Sequence, residues 1–443
     1  MRFDPLSLTM TTPMAVPGGI ASATRHMLSN GIVALIQRNA SSPTVKVRGQ
    51  VRVGAVNETA EQSGLAAFTA AALIRGTTRR TFQDIVTETE ERGCSVNAGG
   101  GLHSSGFGGK ALAEDLPLVL EMLSDMLLRP VFPASEIEKL RAQFLMSLHE
   151  SEQDTRTQAS RAARALLYPP QHPYSRLSSG TLATVQQITC ADLQRFHQLY
   201  HPALTTIAVV GDVEPAVVID ELERFFGEWN LPTVPSGQPL PPVAPLSSVQ
   251  RRDIVIAGKV QSDIIWAVHG LARDDPDYYA AMVGNMILGR LGMGGRLGDN
   301  IREKQGMAYY VYSGLDADLG PGPWAAVAGV NPDNVERASQ SILKEIATFR
   351  QEGPTEQELS DARAYLTGSL VLGLETNDGI ASTLLSIERH NLGLDYIQRY
   401  PEIINGVTHA DIVAVAQKYL STEQYVLTVA GPGLPEAQVG ETV

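Results

Sequence analysis

The sequence predicts an α+β protein of two homologous α/β-layer halves, residues 1–230 and 250–443, joined by a proline-rich linker over 231–249. Three observations carry this. A length of 443 residues accommodates two or three domains at about 150 residues each. The stretch LPTVPSGQPLPPVAPLSSV holds six prolines, which remove backbone donors and fix φ, so neither helix nor central strand persists across it. An internal repeat spans that stretch.

The repeat has two parts. EIEKLRAQFLMSL (Glu136 to Leu148) matches ELSDARAYLTGSL (Glu358 to Leu370), with Glu, Arg, Ser and Leu at a common offset of 222. ITCADLQRFHQLY leads into TTIAVVG, ending at Gly211. It matches VTHADIVAVAQKY, which leads into YVLTVAG, ending at Gly431, at offsets of 219 to 220. Both halves are therefore expected to share one fold.

The elements follow from period and punctuation. VKVRGQVRV (Val45 to Val53) alternates apolar and polar residues, as a strand with one solvated face does. SGLAAFTAAALIRGT (Ser63 to Thr77) offers a serine N-cap, a nearly unbroken apolar body and a terminating Gly76, so it reads as a buried helix. Glu114, Asp115 and Pro117 open a further helix, Leu116, Leu120, Leu123 and Leu127 form its apolar stripe, and Pro130 closes it. After Pro215 the stripe Val218, Leu222, Phe225 and Phe226 repeats that pattern. In the second half DIVIAG, SDIIWAVHG and PWAAVAGV read as strands. The irregular order of half-solvated strands and paired helices favours α+β layers over a doubly wound parallel sheet.

Composition narrows the function. The formal net charge is −13, from 35 basic and 48 acidic residues. An acidic chain without a Lys/Arg run lacks the electrostatic footprint for nucleic acid and is repelled by an anionic membrane. No apolar stretch approaches the roughly 20 residues of a membrane span. Prolines interrupt the N-terminal MRFDPLSLTMTTPMAVPGG where the apolar core of an export signal belongs, so a cytoplasmic protein is expected. Two cysteines, Cys94 and Cys190, do not make a disulfide framework, and a reducing compartment is the simpler reading.

Common catalytic motifs are missing. Of nine histidines only His197 and His201 stand one helical turn apart, with no acidic neighbour and no third ligand, which favours a structural role. HExxH, CxxC, GxSxG and GxxxxGK[ST] do not occur. Cys190 stands at an expected helix start, where a thiol pKa is lowered, but no base accompanies it, and both cysteines read as inert.

SGLAAFTAAALIRGT resembles the GLAHFLEHMxFKGT region of the pitrilysin, insulin-degrading enzyme and mitochondrial processing peptidase family of zinc peptidases. In that family an inverted HxxEH motif sets two histidine zinc ligands and a glutamate general base on one helix face. Aligning Gly64-Leu65 and Gly76-Thr77 with the flanks of the motif puts the first histidine at Ala67, the glutamate at Ala70 and the second histidine at Ala71. The family's third ligand, a glutamate in an LEEI-like run, falls within Leu145 to Leu148, where Met146 and Ser147 occupy the two glutamate places. The resemblance thus implies an HxxEH-lacking member with a degenerate zinc site and no metal or cofactor of its own.

The resemblance covers nearly the whole chain. YHPALTTIAVVGDVEPAVVIDELERFFGEW resembles the strand and helix that close the family's first half. NMILGRLGMGGRLGDNIREKQGMAYYVYS (Asn285 to Ser313) resembles a glycine-containing segment followed by REKxGxAYxVYS. The family's arginine and tyrosine, seven residues apart, fall at Arg302 and Tyr309. The resemblance implies that they bind the peptide backbone near the scissile carbonyl and stabilise the tetrahedral oxyanion in trans. Read without the family, Arg302 belongs to a solvated REK run and Tyr309 to an amphipathic strand beside Tyr310 and Tyr312. Gly289, Gly292, Gly294 and Gly295 fit a substrate-contacting loop, like that of the noncatalytic processing-peptidase subunit, and equally any tight loop. VNAGGGLHSSGFGG (Val96 to Gly109) lies where the family adds a peptide as a β-strand. Glycine weakens side-chain packing there, and the segment reads as a structural remnant.

The resemblance implies a peptidase clamp, a cleft enclosed between two such two-domain units. The expected function is that of a noncatalytic, substrate-orienting subunit of a heterodimeric zinc endopeptidase acting on peptides. An HxxEH-bearing paralogous partner would supply zinc and general base, and this chain alone is expected to be inactive. Two alternatives stay open: a structural subunit like the core proteins of respiratory complexes, and a homodimeric peptide-binding chamber without hydrolysis.

Overall fold

The computed structural model describes residues 22–235 and 239–433, so the N-terminal prolines lie outside the described residues. In the first half, β1 (Thr24–Met27), β2 (Val33–Arg38), β3 (Thr44–Val51), β4 (Ser95–Gly100), β5 (Ser105–Leu112) and β6 (Thr205–Gly211) form a sheet in the order β1-β2-β6-β3-β5-β4. In the second half, β7 (Gln250–Val255), β8 (Ser262–His269), β9 (Ala308–Ala317), β10 (Pro321–Val330) and β11 (Val426–Gly431) run β7-β11-β8-β10-β9. Without β1, the two orders coincide strand for strand. The pairs β2/β6 and β7/β11 are parallel and the other pairings antiparallel. The repeat read from sequence is thus a repeated topology.

Helices α1 (Leu65–Ala72), α2 (Phe82–Glu91), α3 (Leu116–Leu128), α4 (Ala134–Glu152), α5 (Thr155–Leu167), α6 (Leu182–Gln187), α7 (Cys190–His197) and α8 (Pro215–Phe226) belong to the first half. The second half adds α9 (Tyr278–Gly289), a short α10 (Gly295–Leu297), α11 (Val335–Glu352), α12 (Glu356–Gly373), α13 (Asn377–Arg389), α14 (Tyr396–Gly406) and α15 (His409–Tyr419). The expected strand of Val45 to Val53 ends at Val51. It buries Val45, Val47 and Val51 while Lys46 and Arg48 face the other way, as period 2 requires. Among the described residues no helix is long and apolar enough to cross a membrane.

The repeated arginine has a repeated task. Arg141 on α4 donates to the Ile188 carbonyl (2.6 Å), and Arg363 on α12 donates to the Val407 carbonyl (2.5 Å). Each carbonyl directly precedes a capping box, Thr189 with Asp192 and Thr408 with Asp411, that opens α7 and α15. A guanidinium on an otherwise orphaned carbonyl fixes the same junction in both halves.

The helix layers do not stay within their halves. α5 lies across β8 and β11 of the second sheet, and α13 lies across β3 and β6 of the first. These helices start 222 residues apart and are equivalent in the repeat. α5 is seated by Ala159, Ala163 and Leu167, which join a buried cluster with Ile265, Ala267, Val426 and Ala430. α13 buries Ile380, Ala381, Leu384 and Ile387 and is also tied by charge, Arg48 forking onto Asp378 (3.0 and 2.9 Å) and Arg25 onto Glu388 (2.9 and 2.8 Å). The linker is not a free spacer either, since Leu240, Val243 and Leu246 pack into the cluster beneath α5.

Two sequence expectations need correction. α7 stops at His197, so His201 is not on the same helix. His197 Nε2 bonds the Leu127 carbonyl (2.8 Å) and His201 Nε2 the Leu231 carbonyl (3.1 Å), which accounts for both rings structurally. Ser63 does not cap α1. The N-cap is Gly64, in the left-handed region at φ 96°, and the Ser63 hydroxyl is buried without a hydrogen-bond partner among the described residues.

Candidate functional site

The place of the serine cap is taken by a residue that sequence reasoning missed. Glu58 is buried beneath the N-terminus of α1. The Gly64 N–H donates to its Oε1 (3.0 Å) and the Ala66 N–H to its Oε2 (2.9 Å). A carboxylate there satisfies orphan donors and complements the helix dipole. Burial nevertheless outweighs those bonds and the nearby Arg176, pushing the carboxyl up to about 7. No cap signature in the sequence points to Glu58, because it lies six residues before the first N–H it holds.

Along α1, Ala70 is fully buried, while Ala67 and Ala71 are half-buried. The helix presses on β4: a Cβ on Gly100 would stand 2.6 Å from the Ala66 carbonyl oxygen and from the Ala67 Cα. Small residues on both surfaces permit that approach. The Ser147 position on α4 is exposed, beside Met146 at 68% exposure. Alanine offers no ligand atom, so these positions do not fit a zinc ion. Among the described residues no group of three His, Cys, Asp or Glu has metal-binding proximity. Of the cysteines, Cys94 has its thiol pushed up by burial and by Asp115, the reverse of nucleophile activation.

The equivalent end of the second sheet differs. After α9, Gly294 (φ 118°) and Gly295 (φ 59°) turn the chain back, and a Cβ on Gly294 would stand 2.4 Å from the Val311 carbonyl oxygen. Positive φ and close approach account for these two glycines. Gly289 packs against Ser313, whereas Gly292 has open space around it. The turn leads into a π-helix, Gly298–Lys304, an uncommon form concentrated at functional positions. Arg302 projects from it with its Nη1 3.9 Å from the Met293 Sδ and its Nε 3.7 Å from Glu303, the side chain being 35% exposed.

Tyr309 follows on β9, an edge strand, and is 60% exposed with no hydrogen-bond partner for its hydroxyl among the described residues. The ladder to β10 is irregular there, Gly329 facing Tyr310 and Val330 facing Ala308, so Tyr309 is the residue left unpaired between them. Tyr310 and Tyr312 pack against the cluster beneath α5. Tyr310 donates to the buried Asp263 carboxylate, which also accepts from the Thr155 hydroxyl and the Gln261 amide, and Tyr312 stacks on Tyr310 with ring centroids 6.2 Å apart. Desolvation and Asp263 both push the Tyr310 phenol upward. The three tyrosines therefore divide: Tyr310 is engaged in holding α5 on the second sheet, and Tyr309 is open. The glycine turn brings Met293, Arg302 and the start of β9 into one neighbourhood. Met293 is a member that the sequence did not single out, since exposed methionine has no signature outside its fold.

A family model described as Insulinase (Peptidase family M16) matches residues 33–168, and one described as Peptidase M16 inactive domain matches residues 187–366. An uncharacterized zinc protease of Streptomyces coelicolor is 27% identical over 426 residues, covering 94% of this chain and 90% of that protein. The mitochondrial-processing peptidase subunit beta of Saccharomyces cerevisiae is 25% identical over 387 residues, covering 84% and 81%. A crystal structure of a peptidase M16 inactive domain from Pseudomonas fluorescens superposes with a TM-score of 0.85 at 25% identity, covering 93% of this chain and 98% of that one.

Proposed function

Because the chain belongs to the M16 peptidase family and carries Ala67, Ala70 and Ala71 where the family's HxxEH stands, we propose that it serves as a noncatalytic, substrate-orienting subunit. The observation that carries this reading is the contrast within one chain: the helix with the alanines packs on β4 and offers no ligand atom, while a 60% exposed Tyr309 and a half-buried Arg302 keep their polar groups beside the glycine turn. A guanidinium is an always-charged donor and a phenol a neutral one. Placed around a scissile carbonyl they hold the peptide by its backbone and stabilise charge as it develops on oxygen. Gly292, Gly294 and Gly295 would let a peptide backbone approach closely. Zinc and the general base would come from an HxxEH-bearing paralogous partner, and no step is assigned to a metal in this chain. The cytoplasm is the compartment in which we place the pair.

The test is reconstitution. The chain is mixed with HxxEH-bearing paralogues of similar size, zinc is measured in each chain, and cleavage of a quenched peptide is followed. Cleavage only by the mixture, with zinc only in the partner, is the expected result. Chelator-sensitive cleavage by this chain alone sinks the proposal. A stable complex with unchanged turnover in both Arg302→Ala and Tyr309→Phe returns the chain to a structural role, and a self-paired complex that binds peptide without cutting supports the chamber alternative.

A further inference from the structure

The second sheet keeps an open strip beside its borrowed helix. α5 covers β8 and β11, and next to it a groove of about 280 Å³ lies over β10 and the edge strand β9. Register puts Ala267, Ala325 and Gly314 in one row across β8, β10 and β9, with Ile265 and Val327 in the next row, so the floor is apolar. Gly314 is not a conformational necessity. Its φ is not positive, and a Cβ there would meet nothing within 4 Å, so its effect is to leave the floor bare at the sheet edge.

Four polar side chains line the groove: Ser160 and Arg164 from α5, Asp316 from β9, and Arg290 from the end of α9. Its other lining residues are apolar. Arg164 and Asp316 neutralise each other at 2.8 Å. Arg290 is exposed, and its guanidinium has no ion pair or hydrogen bond among the described residues. The preceding Gly289 is pressed onto Ser313, so Arg290 leaves the chain beside Gly314, at the end of the floor. One uncompensated positive charge thus adjoins an apolar surface, in a chain whose net charge is −13.

Three constraints select the occupant. A guanidinium fork matches a carboxylate, and Asp316 on the rim disfavours a dianion such as a phosphate monoester. The floor asks for an apolar group close to that charge. Successive side chains of an extended chain point to opposite faces, whereas a C-terminal residue carries its side chain and a carboxylate on one Cα. Finally, an edge strand has unpaired backbone groups, which a peptide can partner and a fatty acid cannot. We propose that this groove binds the C-terminus of a peptide ending in an apolar residue, with the α-carboxylate on Arg290 and the side chain over Ala325 and Gly314. The groove shares no side chain with Arg302 and Tyr309, and its test needs no partner subunit, so the two readings stand or fall separately.

The probe is acetyl-Ala-Ala-Leu with a free C-terminus, titrated into the full chain alone and followed by ligand-observed NMR and calorimetry. Saturable binding with a Kd on the order of 1 mM is expected for so small a ligand. The C-terminal amide of the same peptide should bind about tenfold more weakly, for want of the charge. Hexanoate keeps a carboxylate and an alkyl chain without a backbone, and it too should bind about tenfold more weakly. Arg290→Gln alters an exposed side chain that holds nothing else, and it should weaken the free acid about tenfold while leaving the amide unchanged. Gly314→Val puts a β-branched residue on an edge strand, fills the floor, and should abolish binding without lowering the melting temperature. Equal affinity for acid and amide, hexanoate binding as tightly as the peptide, undiminished affinity in either variant, or no saturable binding of the free acid overturns the proposal.

Discussion

At the β4 edge of the first half, α1 and the strand meet through alanine and glycine and leave no room between them. At the equivalent β9 edge of the second half, a glycine turn and a π-helix hold an exposed methionine and tyrosine and a half-buried arginine. The same topology thus ends in a surface without charged side chains on α1 in one half and a chemically equipped one in the other. The exchanged helices are held by the same two means in different proportion: α5 grips the second sheet through an apolar cluster with Asp263 at one end and one Arg164–Asp316 ion pair (2.8 Å), and α13 backs its apolar face with ion pairs through Asp378 and Glu388. The comparison teaches that a repeat conserves strand order and junction chemistry while surface chemistry is free to diverge.

The largest effect should come from forcing the first half to imitate its family. Ala70→Glu places a carboxyl at a fully buried position with no partner, and a loss of about 4 kcal/mol or more is expected in urea melts. A folded variant of near wild-type stability would mean that the Ala70 position is not enclosed. Next, in a reconstituted pair, Arg302→Ala or Tyr309→Phe should lower kcat/KM on the order of 10²-fold, the usual effect of one lost oxyanion donor, with melting temperature unchanged. Equal loss on substituting the half-buried Tyr310 instead would erase the distinction between the exposed and the engaged tyrosine.

Glu58 yields a pH signature. Its folded pKa is raised, so the stability that it contributes is fully present below about pH 4.5 and is lost as pH rises through about 7. The amplitude is about 3 kcal/mol, and Glu58→Gln should remove that slope from chemical denaturation measured between pH 5 and 8. A wild-type chain whose stability rises over this interval, with the slope retained in Glu58→Gln, contradicts the assignment. The smallest effects separate the two seams. Ala159→Leu should overpack α5 at a cost of about 1–3 kcal/mol, independent of salt. Asp378→Asn should cost less than about 1 kcal/mol and fade near 1 M salt, since the ion pairs of Asp378 are partly exposed. Matching salt responses would remove the contrast between the apolar seat at Ala159 and the ion pairs at Asp378.

Much of the architecture was legible because its signals are local. Period 2 in Val45 to Val51, the leucine stripe of α3 and the capping threonines of α7 and α15 need only neighbouring residues to read. The offset of 222 exposed the duplication, and the Arg141 and Arg363 pair explains why arginine recurs within it. Arg302 and Tyr309 were picked out by the motif around them, and period alone left them indistinguishable from a charge run and an amphipathic strand. Ser63 looked like a cap since serine ahead of an apolar run commonly is one; the conformation of Gly64 and the reach of Glu58 overrode that preference.

Order along the chain was enough to reveal two like halves, a proline-rich stretch between them and an alanine helix without metal ligands. Those properties reside in residue identity and spacing. Contacts between distant segments had to be seen in space: the crossing of α5 and α13, the engagement of Tyr310 by Asp263 while Tyr309 is left exposed, and Glu58 under α1. Each joins groups whose separation along the chain carries no periodic trace, and folding alone sets which of them meet.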